Sequence, residues 1–196
     1  HDSPRVASRL GVEESKALFI ALLALPGSLY IYNGQELSLP DAEVADEFRQ
    51  DPVYFRTKGA QKGRDAARVP LPWNSQGTQL GFTSGKSWLP IPDHWREISI
   101  DMQDQEVDSS LNLYRKGIQL RKSALEFDKA IVWQETGADG LLVFQRGSTL
   151  VLLNTSKKSC SYEIGGEIIL ASTLAISIED ARVTLPSASA CWVRLH

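Results

Sequence analysis

The sequence predicts an α/β portion followed by an all-β portion, and three observations predict it. A helix-forming run from Val12 to Leu25 leads into a short apolar run, Ser28-Leu29-Tyr30-Ile31-Tyr32, and then into the polar pair Asn33-Gly34. Leu39 to Asp108 holds most of the prolines and no long periodic run. From Ala130 onward, short β-type runs separated by turn signals replace helical spacing.

In the first helix Glu13, Glu14, Lys16 and Ala17 precede apolar residues at Leu18, Ile20, Ala21, Leu22 and Leu25, and Pro26-Gly27 ends it. Residues 28–32 suit a strand buried on both faces. Helix, short buried strand and polar loop in succession is the rhythm of a parallel α/β sheet or barrel, where chemistry sits on loops leaving the strands' C-terminal ends. The long segment that follows carries Trp73, Phe82, Trp88 and Trp95, anchors that a pure linker lacks, so it is expected to pack over something. A second helix is predicted over Ser109–Lys122, with Leu111, Tyr114, Ile118 and Leu125 in helical spacing and Arg115, Lys116, Arg121 and Lys122 facing outward. Strands are then predicted at Ile131–Trp133, Leu141–Gln145, Leu150–Leu153, Ile168–Leu170 and Ala190–Leu195. Several such strands need a second sheet to cover their apolar faces, so the expected architecture is an antiparallel sandwich.

Charge and composition exclude several classes. The 24 acidic and 21 basic residues are mixed, net charge is -3, and no basic stripe awaits a phosphate backbone, so nucleic acid is not an expected partner. The longest apolar stretch, Ala17 to Leu25, is about half of the ~20 residues a membrane span needs. Cys160 and Cys191 are too few for a disulfide framework and too far apart for a metal knuckle, which points to a reducing cytoplasm; no metal site and no cofactor is assigned. Residue 1 is His and no leader opens the chain, so an upstream portion is expected.

Three places could carry chemistry. His1-Asp2 sets an imidazole beside a carboxylate just ahead of a helix; Asp2 could equally cap that helix or pair with Arg5. Glu36, just past the apolar run, could accept hydrogen bonds from sugar hydroxyls or order its own loop through an ion pair. In GRDAARVPLPW, Gly63 to Trp73, Arg64 and Arg68 flank Asp65. Guanidinium forks held by a neighbouring carboxylate, with Trp73 as an apolar plate, suit polyhydroxyl recognition, and a structural Arg–Asp clasp is the alternative.

These segments together resemble the C-terminal part of an α-glucosidase of the α-amylase superfamily, glycoside hydrolase family thirteen, in its oligo-1,6-glucosidase branch. HDSPR resembles the end of the family's Asn-His-Asp signature, and LPGSLYIYNGQELSLP its last barrel strand and loop. RQDP at Arg49–Pro52 and GRDAARVPLPW resemble the insert that follows; GFT, SWLPIP, SSLNLYRKGIQLRK and PSASACWVRL continue in the family's order. The resemblance implies the end of a (β/α)8 TIM barrel with a long active-site insert over residues 1–125 and a C-terminal β-sandwich over 126–196.

By that resemblance the protein acts on terminal α-linked glucose in maltose- or isomaltose-like oligosaccharides. Asp2 would stabilise the oxocarbenium-like transition state, and His1 would bind hydroxyls of the reacting glucose. Arg68 would grip its non-reducing end, Glu36 would face the neighbouring sugar, and Arg64 would act as a supporting clasp. The family is retaining and needs a nucleophile and an acid/base roughly 5 Å apart. Both belong to earlier barrel strands, so neither is assigned here, and the separate chain is expected to need its missing N-terminal barrel portion for activity. The loop departs from the family at Asn33-Gly34-Gln35, often Gln-Gly-Glu in relatives, and at Ser38, commonly Gly. Two other readings of the same likeness are a non-catalytic partner subunit and a sucrose isomerase or trehalose-processing enzyme, which differs in how it excludes water.

Overall fold

A computed structural model of the chain describes residues 2–126 and 128–196. The chain divides into two compact units: one takes the opening residues to Gly11 with Ile31–Leu111, the other Val12–Tyr30 with Asn112–His196.

The second unit is built on two antiparallel sheets. Among the described residues, β1 (Ile131–Gln134), β2 (Leu141–Arg146), β3 (Thr149–Asn154), β8 (Ser189–Arg194) and β5 (Glu167–Ala171) form one sheet in that spatial order. The other has the order β4 (Cys160–Glu163), β7 (Arg182–Leu185), β6 (Ser177–Glu179). The two-residue connection Gly147-Ser148 joins β2 to β3, with Arg146 opposite Thr149 and Gly147 at φ +58. Leu141, Val143, Leu152, Cys191 and Val193 from the larger sheet share a core with Val183 and Leu185 of the smaller. The five strands expected from the sequence are present; β4, β6 and β7 were not expected.

Helices cover the other face of the larger sheet. They are α2 (Val12–Ala24), with Glu13 and Glu14 in its first turn where the helix dipole favours anions, and α5 (Ser110–Ala124). Phe19 and Ile20 of α2 and Tyr114 of α5 join Phe144, Val151 and Trp192 in one core, and the Phe19 and Tyr114 rings stack. Arg121, expected to face solvent, instead turns back to donate to the carbonyls of Leu23, Leu25 (3.1 Å) and Gly27 (2.6 Å). Carbonyls at the end of α2 have no partner further along the helix, so a guanidinium fork at hand is drawn to them.

Trp192 is fully buried, and its indole N–H donates to the Ile20 carbonyl at 3.0 Å. Trp192→Phe leaves a void and removes that donor, so it is expected to lower unfolding stability by about 2 kcal/mol. Urea titration of the two proteins side by side measures this, and overlapping transitions would show that the tryptophan does not join sheet to helix.

The first unit has little regular structure but a core of its own. Between the short helices α1 (Val6–Leu10), α3 (Pro52–Arg56) and α4 (Ile100–Gln105), the chain runs through tight single turns. Leu37, Leu39, Val44, Val69, Leu80, Leu89 and Trp95 are buried together. The long segment therefore packs on itself. Of its four aromatic anchors only Trp95 is buried; Trp73, Phe82 and Trp88 stand exposed.

The strand expected at residues 28–32 does not form. No ladder partner for it occurs among the described residues, and Tyr30 is 90% exposed. A parallel strand is held by neighbours on either side, and the strands this chain supplies are antiparallel and paired with one another.

Candidate active site

The opening of the chain is fixed by Arg5. Its backbone N–H donates to both Asp41 carboxylate oxygens at 3.1 and 3.2 Å, and its guanidinium donates to the Asn33 carbonyl at 2.8 Å and the Ala67 carbonyl at 2.9 Å. The guanidinium lies over the Tyr32 ring, whose hydroxyl donates to the same Ala67 carbonyl at 3.0 Å. One buried side chain thus ties the opening, the loop after Asn33 and the turn Asp65–Arg68 together. It is engaged there and is not the partner of Asp2.

Asp2 faces Arg68 of that turn and Arg64, the residue just before it. Its Oδ1 accepts from Arg64 Nη1 at 2.7 Å and from Arg68 Nη2 at 3.0 Å. The hydrogen bond from Arg64 above all, then that from Arg68, holds the Asp2 carboxyl below its usual range against a partial loss of solvation. Arg64 and Arg68 are brought onto Asp2 from more than 60 positions along the chain.

Behind the arginines lies a carboxylate that the sequence reading did not assign. Asp51 is buried, with Oδ2 accepting from Arg64 Nε at 2.6 Å and from the Arg64 backbone N–H at 3.0 Å, and lying 3.8 Å from Arg68 Nη1. Its Oδ1 accepts from the Val53 N–H at 3.0 Å, which caps α3, with Pro52 in the first helical turn. Gly63, at φ +74, allows this approach, because a Cβ there would fall 2.6 Å from Asp51 Cβ. The Asp51 carboxyl is held well below, and the Arg64 guanidinium well above, their usual values, each chiefly by their mutual hydrogen bond. The clasp read from the sequence therefore exists with a different anion. Asp65, the arginines' neighbour, accepts instead from the Gln50 and Asp51 backbone N–H groups at 2.8 and 3.0 Å. In the sequence Asp51 stands out only within RQDP, Arg49–Pro52, as part of the segment that resembles the family's insert.

A pocket of about 360 Å³ opens beside Arg68, with Asp51, Asp65 and Arg68 as polar lining and Pro70, Trp88 and Leu89 as apolar lining. The apolar plate at this pocket is Trp88, 77% exposed, where the sequence reading had named Trp73. Glu36 sits in the turn Gln35–Leu37 and accepts from the Gly34 N–H at 2.8 Å, an ordering bond to its own loop. Ser38 holds a left-handed conformation at φ +49, and its hydroxyl lies 2.8 Å from that of Ser110. His1 lies outside the described residues. Among the described residues no group of three or more His, Cys, Asp or Glu side chains is arranged to hold a metal, and no helix is long and apolar enough to cross a membrane.

Comparison with known proteins sets this geometry in context. The family model for the alpha amylase catalytic domain matches residues 1–129. An oligo-1,6-glucosidase of Parageobacillus thermoglucosidasius is 32% identical over 62% of this chain and 26% of its own length. Maltase A1 of Drosophila melanogaster is 31% identical over 88% of this chain and 32% of its own. Among solved structures, the alpha-glucosyl transfer enzyme XgtA matches with a TM-score of 0.81 at 28% identity, over 99% of this chain and 39% of that one. The chain spans between 26% and 39% of the length of these proteins.

Proposed function

Because the chain belongs to the α-amylase family, we propose that it is the C-terminal part of an α-glucosidase that releases terminal α-linked glucose from maltose- or isomaltose-like oligosaccharides. The observation that carries this reading is the meeting of Arg64 and Arg68 on one oxygen of Asp2. A carboxylate kept ionised by two fixed cations, one of which, Arg68, lines a pocket with both polar and apolar side chains, suits a sugar that acquires positive charge as its glycosidic bond breaks.

In this proposal residues 1–125 complete a (β/α)8 barrel and residues 126–196 form a β-sandwich domain. The uncovered segment 28–32 supports the first part, since a barrel strand needs neighbours that lie elsewhere in a longer protein. Asp2 stabilises the transition state, Arg68 holds the glucose, and Arg64 supports both through Asp51. His1 and Glu36 reach hydroxyls of the reacting sugar and its neighbour. Nucleophile and acid/base are supplied from upstream, in a retaining mechanism. Cys160 and Cys191 are both free thiols, as a cytoplasmic setting would keep them.

The test is hydrolysis of an aryl α-glucoside and of maltose and isomaltose by the full-length protein beside the 196-residue chain. Glucose release by the first and none by the second is expected. Turnover by the short chain would overturn the division of labour, and transfer or rearranged products without glucose would replace hydrolysis by an isomerase or transferase reading. No turnover by either would leave the non-catalytic alternative.

A further inference from the structure

We infer that Asp51 is the positioning residue of this site: its buried carboxylate sets the direction in which the Arg64 and Arg68 guanidinium groups face Asp2 and the sugar. The inference rests on the α-glucosidase reading and names a residue that acts within it through Arg64 and Arg68.

The geometry is that of two cations bridging two anions. Arg64 meets Asp51 side-on, with Nε at 2.6 Å from Oδ2 and Nη2 at 3.5 Å from Oδ1. Two contacts along one edge of a planar fork fix its plane as well as its distance, and Nη1 is thereby directed onto Asp2 at 2.7 Å. Arg68 spans the same pair, with Nη2 at 3.0 Å from Asp2 and Nη1 at 3.8 Å from Asp51. Two neighbouring guanidinium groups repel one another, and a single exposed carboxylate at the chain's opening is a poor anchor for both. Asp51 is a good one. It accepts from the Val53 and Arg64 N–H groups, its own N–H is held by Asp65, and Gly63 lets the backbone close on it.

The competing role is structural, since Asp51 also caps α3. Asn caps a helix as well as Asp does, so Asp51→Asn with its oxygen toward Val53 keeps the cap, while its NH2 group replaces the acceptor that the Arg64 N–H groups used and the charge that aims the arginines is gone. The experiment is a double-mutant cycle in the full-length protein with an aryl α-glucoside: wild type, Asp51→Asn, Arg68→Ala and the double variant, each with its thermal transition. Asp51→Asn is expected to lower kcat/KM by about 10- to 100-fold through misplaced binding groups, with Tm within about 5 °C of wild type. Its effect is expected to be at least about threefold smaller once Arg68 is gone. Equal effects in both backgrounds, or a loss of activity that tracks a loss of Tm, would make Asp51 merely structural and overturn the inference. An unchanged kcat/KM would do the same. A wild-type protein without α-glucosidase turnover is a separate result, which removes the functional reading before any variant is compared.

Discussion

Asp2→Asn in the full-length protein is expected to lower kcat/KM by about a thousand-fold with the fold intact. The replacement is nearly isosteric, and its carbonyl oxygen can still accept from Arg64 Nη1 and Arg68 Nη2, which now meet on Asp2 Oδ1. What it lacks is the negative charge. In the ground state that charge is offset by the two arginines; in the transition state the sugar ring adds positive charge, and only an anion gains attraction as this develops. The loss should therefore fall mainly on kcat, with KM for an aryl α-glucoside changing by less than about tenfold.

The same contacts fix the pH behaviour. Arg64 holds the Asp2 carboxyl below its usual range, so the active, ionised form persists as pH falls through the ordinary carboxylate region. With Asp2 in the proposed role, loss of activity through its protonation is expected only below that region. Arg64→Gln takes away the largest cause of the shift, and the carboxyl midpoint of Asp2, followed by NMR, should move to higher pH. A midpoint that stays in place would separate Asp2 from Arg64, and an Asp2→Asn enzyme keeping a third or more of its kcat/KM would remove the transition-state role.

Much of the fold was legible because local signals agreed with long-range ones. Val12 to Leu25 reads as helix from both its acidic start and its Pro-Gly end, and α2 occupies that place. The strands that carry Val143, Val151 and Trp192 are apolar runs, and they form the larger sheet. The smaller sheet was hidden by its chemistry. Its β6–β7 turn is Asp180-Ala181, with φ of +48 and +55; Asp is usual at the first of these positions but Gly is usual at the second, and Ala181 stands there instead, so the turn signal was only half present. Cys160–Glu163 is half polar and faces its core with few residues. Segment 28–32 has the composition of a strand but forms none, because it has no ladder partner among the described residues. In the site, Arg64 and Arg68 could be picked out from a dense motif, but their anion could not. Asp51 is 13 positions before Arg64, inside RQDP, and nothing in a linear sequence reports that Arg5 folds Asp2 back onto a turn more than 60 positions away. Ser38 is instructive, because it holds the left-handed backbone that Gly favours and its hydroxyl lies 2.8 Å from that of Ser110.

Arg68→Ala is expected to lower kcat/KM for small α-glucosides by about a hundred-fold, again without unfolding the protein. Arg68 is partly exposed, lines the pocket beside Trp88, and makes its contacts through guanidinium nitrogens at the end of a long side chain. Truncation thus removes a donor fork and leaves no cavity in the core formed by Val69, Leu80 and Trp95. Lysine should restore little, because a point charge cannot donate in two fixed directions to Asp2 and to a sugar hydroxyl at once. Selectivity separates the clamp from a general electrostatic effect. A residue that grips the non-reducing end makes contacts with the terminal glucose alone, so its loss should cost maltose, maltotriose and an aryl glucoside alike. A cation that merely tunes Asp2 would instead shift the acid side of the pH profile and leave glucose inhibition unchanged. The clamp assignment requires equal losses across the three substrates together with weaker inhibition by glucose; a variant with unchanged kcat/KM, or one altered only at low pH, would assign Arg68 to Asp2 and not to the sugar.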